Sequence, residues 1–309
     1  MSGVEFIKVK PEDDGIRLNR WFLKYYPGLS LGRLQKLLRT KQIKVEGAKA
    51  EANTRLVKGQ EIRVPPLDNE KKEISHNEIS EKDIKFITDM VIYKDENIIV
   101  LNKPSGLAVQ GGTNTTRHVD GLLEALKFGN EEKPKLVHRI DKETSGILVL
   151  ARNRKSAELL TKAFREHLVH KTYLALCRGV PQKDMGEVKA PLEKMDGRVQ
   201  VIEGGKPALT EYAVLDRVGD KYALIEASPL TGRTHQIRAH MEYLGAPIWG
   251  DDKYYGKERE KNSLLIQKLH LHAYKIDLSS VCGKKNIVKA KLPDYFRESL
   301  KILGLNFKE

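Results

Sequence analysis

Asp141 stands in Leu136-Val137-His138-Arg139-Ile140-Asp141-Lys142-Glu143-Thr144-Ser145-Gly146, where a strand-like start runs into a polar loop and then into the apolar run Ile147 to Leu150. A carboxylate on a loop braced by two strands is a platform for a reactive group. Ionised, it only accepts hydrogen bonds, and it can act as a nucleophile or a base. Taken alone, Asp-x-x-Thr-Ser-Gly reads more often as an Asx-turn that satisfies its own backbone. A second polar stretch is Thr231-Gly232-Arg233-Thr234-His235-Gln236-Ile237-Arg238-Ala239-His240-Met241, in which Arg233 and Arg238 bracket the first turn and a half of a helix entered through a turn at Gly232. His235 and His240 are five apart and do not share a helix face, and no Glu follows His235 as a metalloprotease helix requires. His270 and His272 alternate along a strand without an identifiable third ligand, so they read as core or surface histidines and no metal is expected.

Tyr173, in Lys171-Thr172-Tyr173-Leu174-Ala175, alternates with Ala175 and Cys177 on one strand face, the usual setting of a core tyrosine. The strand ending Leu101-Asn102-Lys103-Pro104-Ser105-Gly106-Leu107, followed by Gln110-Gly111-Gly112-Thr113, offers backbone to a phosphate. It lacks the Gly-Lys-Ser/Thr of a P-loop. No Gly-x-Gly-x-x-Gly follows a strand and no Gly-x-Ser-x-Gly is present. Nucleotide cofactors and a serine nucleophile therefore have no support, and the expected cofactor is none.

The elements that must position these residues are legible in outline. Ile98 to Leu101, Ile147 to Leu150, Thr172 to Cys177, Tyr222 to Ala227 and Leu269 to Leu278 read as strands. Val119, Leu122, Leu123 and Leu126 make one helix face, Ile237, Met241 and Leu244 a second, and Phe296, Leu300 and Leu303 a third. Strands outnumber helices, and several are separated by turns too short for a crossover helix. That predicts an α+β body with a mixed, largely antiparallel central sheet flanked by helices. Ahead of it, Leu18, Phe22 and Tyr25 mark a helix broken by Pro27-Gly28. Ser30 is the predicted N-cap of a second helix with Leu31, Leu34, Leu37 and Leu38 as its apolar stripe, and Arg33, Lys36 and Arg39 facing outward. Ile43-Lys44-Val45 and Glu61 to Val64 are short strands, and Pro65-Pro66 ends the segment. The expected organisation is a small α/β module over 1–66, a polar linker over 67–88 and a larger body over 89–309.

Charge follows this division. The 309 residues carry a net +13, and Arg17 to Pro66 alone hold 12 Lys+Arg against 3 Asp+Glu, a net +9. Such a surplus points to a polyanion. For Arg33, Lys36 and Arg39 alone a solvated helix face is the simpler reading. The regional +9 reverses it in favour of a face laid against phosphates, Lys44 included. No run approaches the roughly 20 apolar residues of a membrane span. Glu5, Glu12, Asp13 and Asp14 interrupt any signal-peptide core. Cys177 and Cys282 form no zinc or disulfide framework and suit a reducing compartment, so the expectation is a cytoplasmic protein, and a bacterial one from its Lys/Ile-rich composition.

Asn-Lys-Pro-Ser-Gly, His-Arg-Ile-Asp-Lys-Glu-Thr-Ser-Gly, Lys-Thr-Tyr-Leu-Ala, Thr-Gly-Arg-Thr-His-Gln-Ile-Arg and Gly-Asp-Asp-Lys-Tyr-Tyr-Gly follow one another in that order. The series resembles the RluA family of RNA pseudouridine synthases over residues 91 to about 305, with Ile140 where many members carry Leu. The segment Leu29 to Val45 with Gly59 to Pro65 resembles an S-four-type RNA-binding domain, and Ala108 to Thr113 is similar to the branch of the family that acts on large-subunit ribosomal RNA. The resemblance implies a pseudouridine synthase fold and isomerisation of uridine in RNA by a cofactor-free monomer. It implies Asp141 as the catalytic aspartate, Arg238 as its basic partner, Tyr173 stacked on the target base and Arg139 helping to displace the nucleotide, with Arg233 and His235 further RNA contacts. Three other readings remain open: a synthase acting on transfer RNA, a non-catalytic RNA-binding assembly factor, and a glycoside hydrolase with Glu143 or Asp251 as second carboxylate.

Overall fold

The computed structural model describes residues 3–67, 79–112, 115, 117–255, 264–282 and 286–308. Residues 68–78 of the expected linker, Thr113 and Gly256 lie outside the described residues, as do the side chains of Leu31 and Cys282. The chain divides into two compact units, residues 1–78 and 79–309.

The N-terminal unit comprises β1 (Glu5–Lys8), α1 (Leu18–Tyr25), α2 (Leu31–Arg39), β2 (Lys44–Val45), β3 (Ala48–Lys49) and β4 (Glu61–Val64). Its antiparallel sheet has the order β1-β4-β2-β3. Leu18, Trp21 and Phe22 of α1 and Leu34 and Leu38 of α2 bury against Ile43, Val45, Ile62 and Val64. The two apolar stripes thus close over one face of the sheet. Pro27 and Gly28 fall between the helices, and Ser30 Oγ accepts the Arg33 N–H at 3.2 Å to cap α2.

The larger unit contains α3 (Glu81–Thr88), β5 (Val91–Lys94), β6 (Ile98–Lys103), α4 (Val119–Leu122), β7 (Lys135–Leu136), β8 (Ser145–Ala151), α5 (Arg154–Arg165), β9 (His170–Arg178), β10 (Met185–Lys189), β11 (Leu192–Met195), β12 (Arg198–Val201), β13 (Leu209–Val218), β14 (Tyr222–Pro229), α6 (Gln236–Tyr243), β15 (Leu271–Asp277), α7 (Ser279–Cys282), β16 (Ile287–Lys289) and α8 (Asp294–Leu303). Ten strands form the central sheet in the order β10-β13-β14-β9-β15-β8-β6-β5, with β16 on β15 and β7 on β8. β15 and β8 run parallel, and the other described pairs of this sheet are antiparallel. This is the α+β architecture with a mixed, largely antiparallel sheet expected from the sequence.

Two expectations need correction. The linker does not extend to residue 88, because Ser80 Oγ caps α3 through the Asp83 N–H at 3.2 Å. Ile87 is fully buried among Met90, Val119 and Leu123. The polar composition of Glu81–Thr88 conceals a helix that buries one face. The Val119–Leu126 helix face is likewise a single α-turn followed by a 3₁₀ turn over Leu123–Leu126, although all four apolar residues are buried as expected.

Candidate active site

Asp141 lies in the loop between β7 and β8, and β8 is buried along its whole length. The loop is fixed at its far end where β8 meets β15, with His272 opposite Ser145 and Ala273 opposite Gly146. Gly146 has φ +103°, and a Cβ there would stand 2.3 Å from the Ala273 carbonyl oxygen, so only glycine fits this approach. The loop after β6 braces it from the other side. Gly106 N–H donates to the Lys142 carbonyl at 3.0 Å and Ser105 Oγ to the Glu143 carbonyl at 2.7 Å. Lys103, fully buried, donates from Nζ to the carbonyls of Pro104, Leu107 and Lys142 at 2.8–2.9 Å. Burial pushes its amine down to about 7, against the pull of Glu143 and Asp141. The Asn102 to Leu107 segment, expected to offer its backbone to a phosphate, thus holds the Asp141 loop.

The partners of the Asp141 carboxylate are on α6 and at its N-cap rather than in its own loop. Arg238 Nη1 stands 3.5 Å from Oδ2, and His235 Nε2 3.8 Å from the same oxygen. Arg238 is itself buried and held by a fork on Asp251, with Nε to Oδ2 and Nη2 to Oδ1 both at 2.7 Å. Burial alone would lower its pKa, but the Asp251 hydrogen bonds and charge raise it. Asp251 also accepts the N–H groups of Lys253 and Tyr254, and the guanidinium lies 5.0 Å over the Tyr254 ring. The turn into α6, expected at Gly232, is made at His235, which sits at φ 53° immediately before the helix. Gln236 ties this turn to β13 through Leu209 and Thr210.

A cleft of about 410 Å³ opens beside the carboxylate. Its lining includes the cations Arg139, Arg165, Lys171, Arg233 and Arg238, the aromatics Tyr173 and Phe164, and one carboxylate, Asp141. Tyr173 is half-buried on β9, opposite Ala273 and Ala227, and burial followed by the Asp141 charge raises its phenol pKa. His138 stacks on Phe164 at 4.2 Å and its Nε2 accepts the Val149 N–H at 2.8 Å. Burial, followed by the Lys171 charge, pushes the imidazole down to about 3. A second hollow of about 400 Å³ shares Arg139, Asp141 and Arg233 and adds Lys142, Gln110 and Gly111. Asp141 therefore separates two basic hollows.

The structure brings Asp141, Tyr173, Arg238, Arg139, Arg233 and His235 to one cleft. Arg139 and Arg233 are exposed, whereas His235 is half-buried against Tyr254. Arg33, Lys36 and Arg39 are exposed on α2, and Lys44 is half-buried on β2 opposite Arg63. These four belong to the N-terminal unit. His270 and His272 are buried and hydrogen-bonded separately, to Lys268 and Ser299 and to Ser145 and Ala290. No group of ligands suited to a metal occurs among the described residues. Asp251 has both oxygens engaged by Arg238, and Glu143 lines neither hollow, so neither stands as the second carboxylate of a hydrolase. Sequence reasoning missed Arg165, Lys171, Phe164, Lys103 and Tyr254. Lys171 had a usable signal, since it lies two residues before Tyr173 and shares its strand face. Arg165 had none beyond a basic residue in a polar stretch.

A profile of the RNA pseudouridylate synthase family matches residues 97–243. The chain is 42% identical to the ribosomal large subunit pseudouridine synthase C of Rickettsia conorii over 92% of its own length and 96% of that protein's. It is 43% identical to the protein of the same name from Rickettsia bellii, over 91% and 95%. Among solved structures it is similar to human RNA pseudouridylate synthase domain containing 4, with TM-score 0.63 and 31% identity over 73% of this chain and 97% of the human one. With this fold, this loop and relatives matched over nearly their whole length, the chain belongs to the RluA-type family of RNA pseudouridine synthases.

Proposed function

We propose that the protein converts specific uridines of large-subunit ribosomal RNA to pseudouridine, with Asp141 as the catalytic carboxylate. The observation that carries this reading is the composition of the cleft: one carboxylate, held against a clamped arginine, among five cations and an aromatic platform. Such a site attracts a phosphodiester chain and keeps a single nucleophile or base for its sugar or base. The relatives named as large-subunit ribosomal synthases support the choice of RNA.

In the reaction the N1–C1′ bond breaks, the uracil turns, and a C5–C1′ bond forms. The C5 hydrogen leaves to solvent and N1 gains a proton, so no redox partner or group donor enters. The uridine must first leave its stack, at a cost of a few kcal/mol. Tyr173 offers a ring face to the extruded base, and exposed Arg139, shared by both hollows, fills the place it vacates. Arg233 faces the backbone on either side of the target. The N-terminal unit acts as an S-four-type RNA-binding domain whose Arg33, Lys36, Arg39 and Lys44 contact phosphates. The protein acts as a monomer, and the ribosomal substrate supports a cytoplasmic location.

Pseudouridine mapping in total RNA from cells with and without the gene tests this. Sites in large-subunit ribosomal RNA should vanish on deletion, return with the wild-type gene and stay absent with Asp141→Asn. Loss confined to transfer RNA would overturn the choice of substrate. Restoration by Asp141→Asn would overturn the role of the carboxylate and favour a non-catalytic assembly factor.

A further inference from the structure

His235 holds a left-handed backbone conformation, φ 53° and ψ 22°, that a residue with a Cβ adopts rarely and only where its neighbours enforce it. Its ring is held by Tyr254, which is 1% exposed. Its hydroxyl oxygen lies 3.0 Å from His235 Nδ1 and accepts the N–H of Val199 at 3.2 Å. The amide can only donate, so the hydroxyl's one hydrogen is left for Nδ1. The reverse arrangement, with Nδ1–H donating to the oxygen, would strand a buried phenol hydrogen without an acceptor. Nδ1 is therefore the acceptor, and the hydrogen of the neutral ring resides on Nε2. That N–H faces Asp141 Oδ2 at 3.8 Å, beside Arg238 Nη1 at 3.5 Å from the same oxygen. The Arg238 contact is a long hydrogen bond and the His235 distance is longer than a formed one, as is common in a catalytic site before substrate closes it.

We propose that His235 is a positioning residue for the Asp141 carboxylate: fixed as the Nε2–H tautomer by Tyr254, it holds Oδ2 together with Arg238 and leaves Oδ1 to meet the nucleotide. The charged groups around the ring are Asp141, Asp251, Arg238 and Lys253. Partial burial, aided by the two cations and opposed by the two carboxylates, favours the neutral ring that this geometry needs. The proposal rests on Asp141 being the catalytic carboxylate, and it changes what His235 is for. A direct RNA contact, the role expected from sequence, would place its effect in binding, whereas a positioning role places it in the chemical step.

The experiment uses the full chain and single-turnover kinetics on 5-tritiated ribosomal RNA, with RNA affinity measured in parallel. His235→Ala and His235→Asn should lower the saturating rate by about 100-fold, the scale of a small misplacement of a reacting group, with RNA affinity unchanged. His235→Gln, whose amide nitrogen reaches the place of Nε2, should recover at least about a tenth of the wild-type rate. Tyr254→Phe should slow the wild type but add nothing in the His235→Ala background, as expected for two members of one unit. Weakened RNA binding with an unchanged saturating rate would show a substrate contact and overturn the proposal. Independent, multiplying effects of Tyr254→Phe and His235→Ala, or no rescue by Gln over Asn, would also overturn it. If Asp141→Asn retained turnover, the underlying reading would have failed; wild-type behaviour of the His235 variants beside an inactive Asp141→Asn would sink this inference alone.

Discussion

Arg238 engages Asp251 with two nitrogens and faces Asp141 with the third, so its geometry decides that of the candidate carboxylate. Lysine cannot form that fork. Arg238→Lys should abolish turnover while RNA binding persists. Arg238→Met should in addition destabilise the fold by about 3–5 kcal/mol in chemical denaturation, because it leaves buried Asp251 unpaired. His138 gives a pH prediction. Its folded pKa, about 3, lies below the ordinary 6.5, so the unfolded chain takes up the extra proton between those values. The associated stability is present above about pH 6.5 and is lost as pH falls toward 3. The stability of the wild type to denaturant should fall from about pH 7 to about pH 5 by more than that of His138→Gln; equal slopes would contradict the assignment. Asp141 and Arg238 lie 97 residues apart, and no local pattern relates them. They were legible as a pair only because their motifs resemble a family, while periodicity alone left Asp141 an Asx-turn and Tyr173 a core residue.

Among the elements, β8 and β15 matter most, because the Asp141 loop ends where they meet. Gly146→Ala would force a methyl onto the Ala273 carbonyl in a backbone region closed to alanine. It should destabilise the protein by several kcal/mol, read as a lowered denaturation midpoint, and reduce turnover even where folded. Lys103→Met removes one hydrogen bond to the same loop, at Lys142, and two that shape the bracing loop after β6, and should slow the reaction without weakening RNA binding. β6, β8, β9, β14 and β15 were readable from their apolar runs, whereas β10 to β13 were not. Strand order was not readable either, since β8 pairs in parallel with β15 across more than a hundred intervening residues. α5 escaped because Leu160 is its one large fully buried residue in a charged stretch, yet it supplies Phe164 and Arg165 to the cleft.

For the whole molecule, the +13 includes two groups of basic residues: Arg33, Lys36, Arg39 and Lys44 in residues 1–78, proposed to contact RNA, and those lining the cleft in 79–309. Replacing Arg33, Lys36 and Arg39 together by Ala should weaken RNA binding at every sequence tested. It should also reduce the slope of log affinity against log salt by up to about 2 to 3, the counterions of three phosphates. An unchanged slope would mean that this face is only solvated. The central claim is that one carboxylate performs the isomerisation. Tritium release from 5-tritiated uridine in large-subunit ribosomal RNA tests it most directly. The wild type should release tritium in step with pseudouridine formed, and Asp141→Asn should bind the same RNA with unchanged affinity and release none. Turnover by Asp141→Asn, or no release by the wild type, would contradict the account.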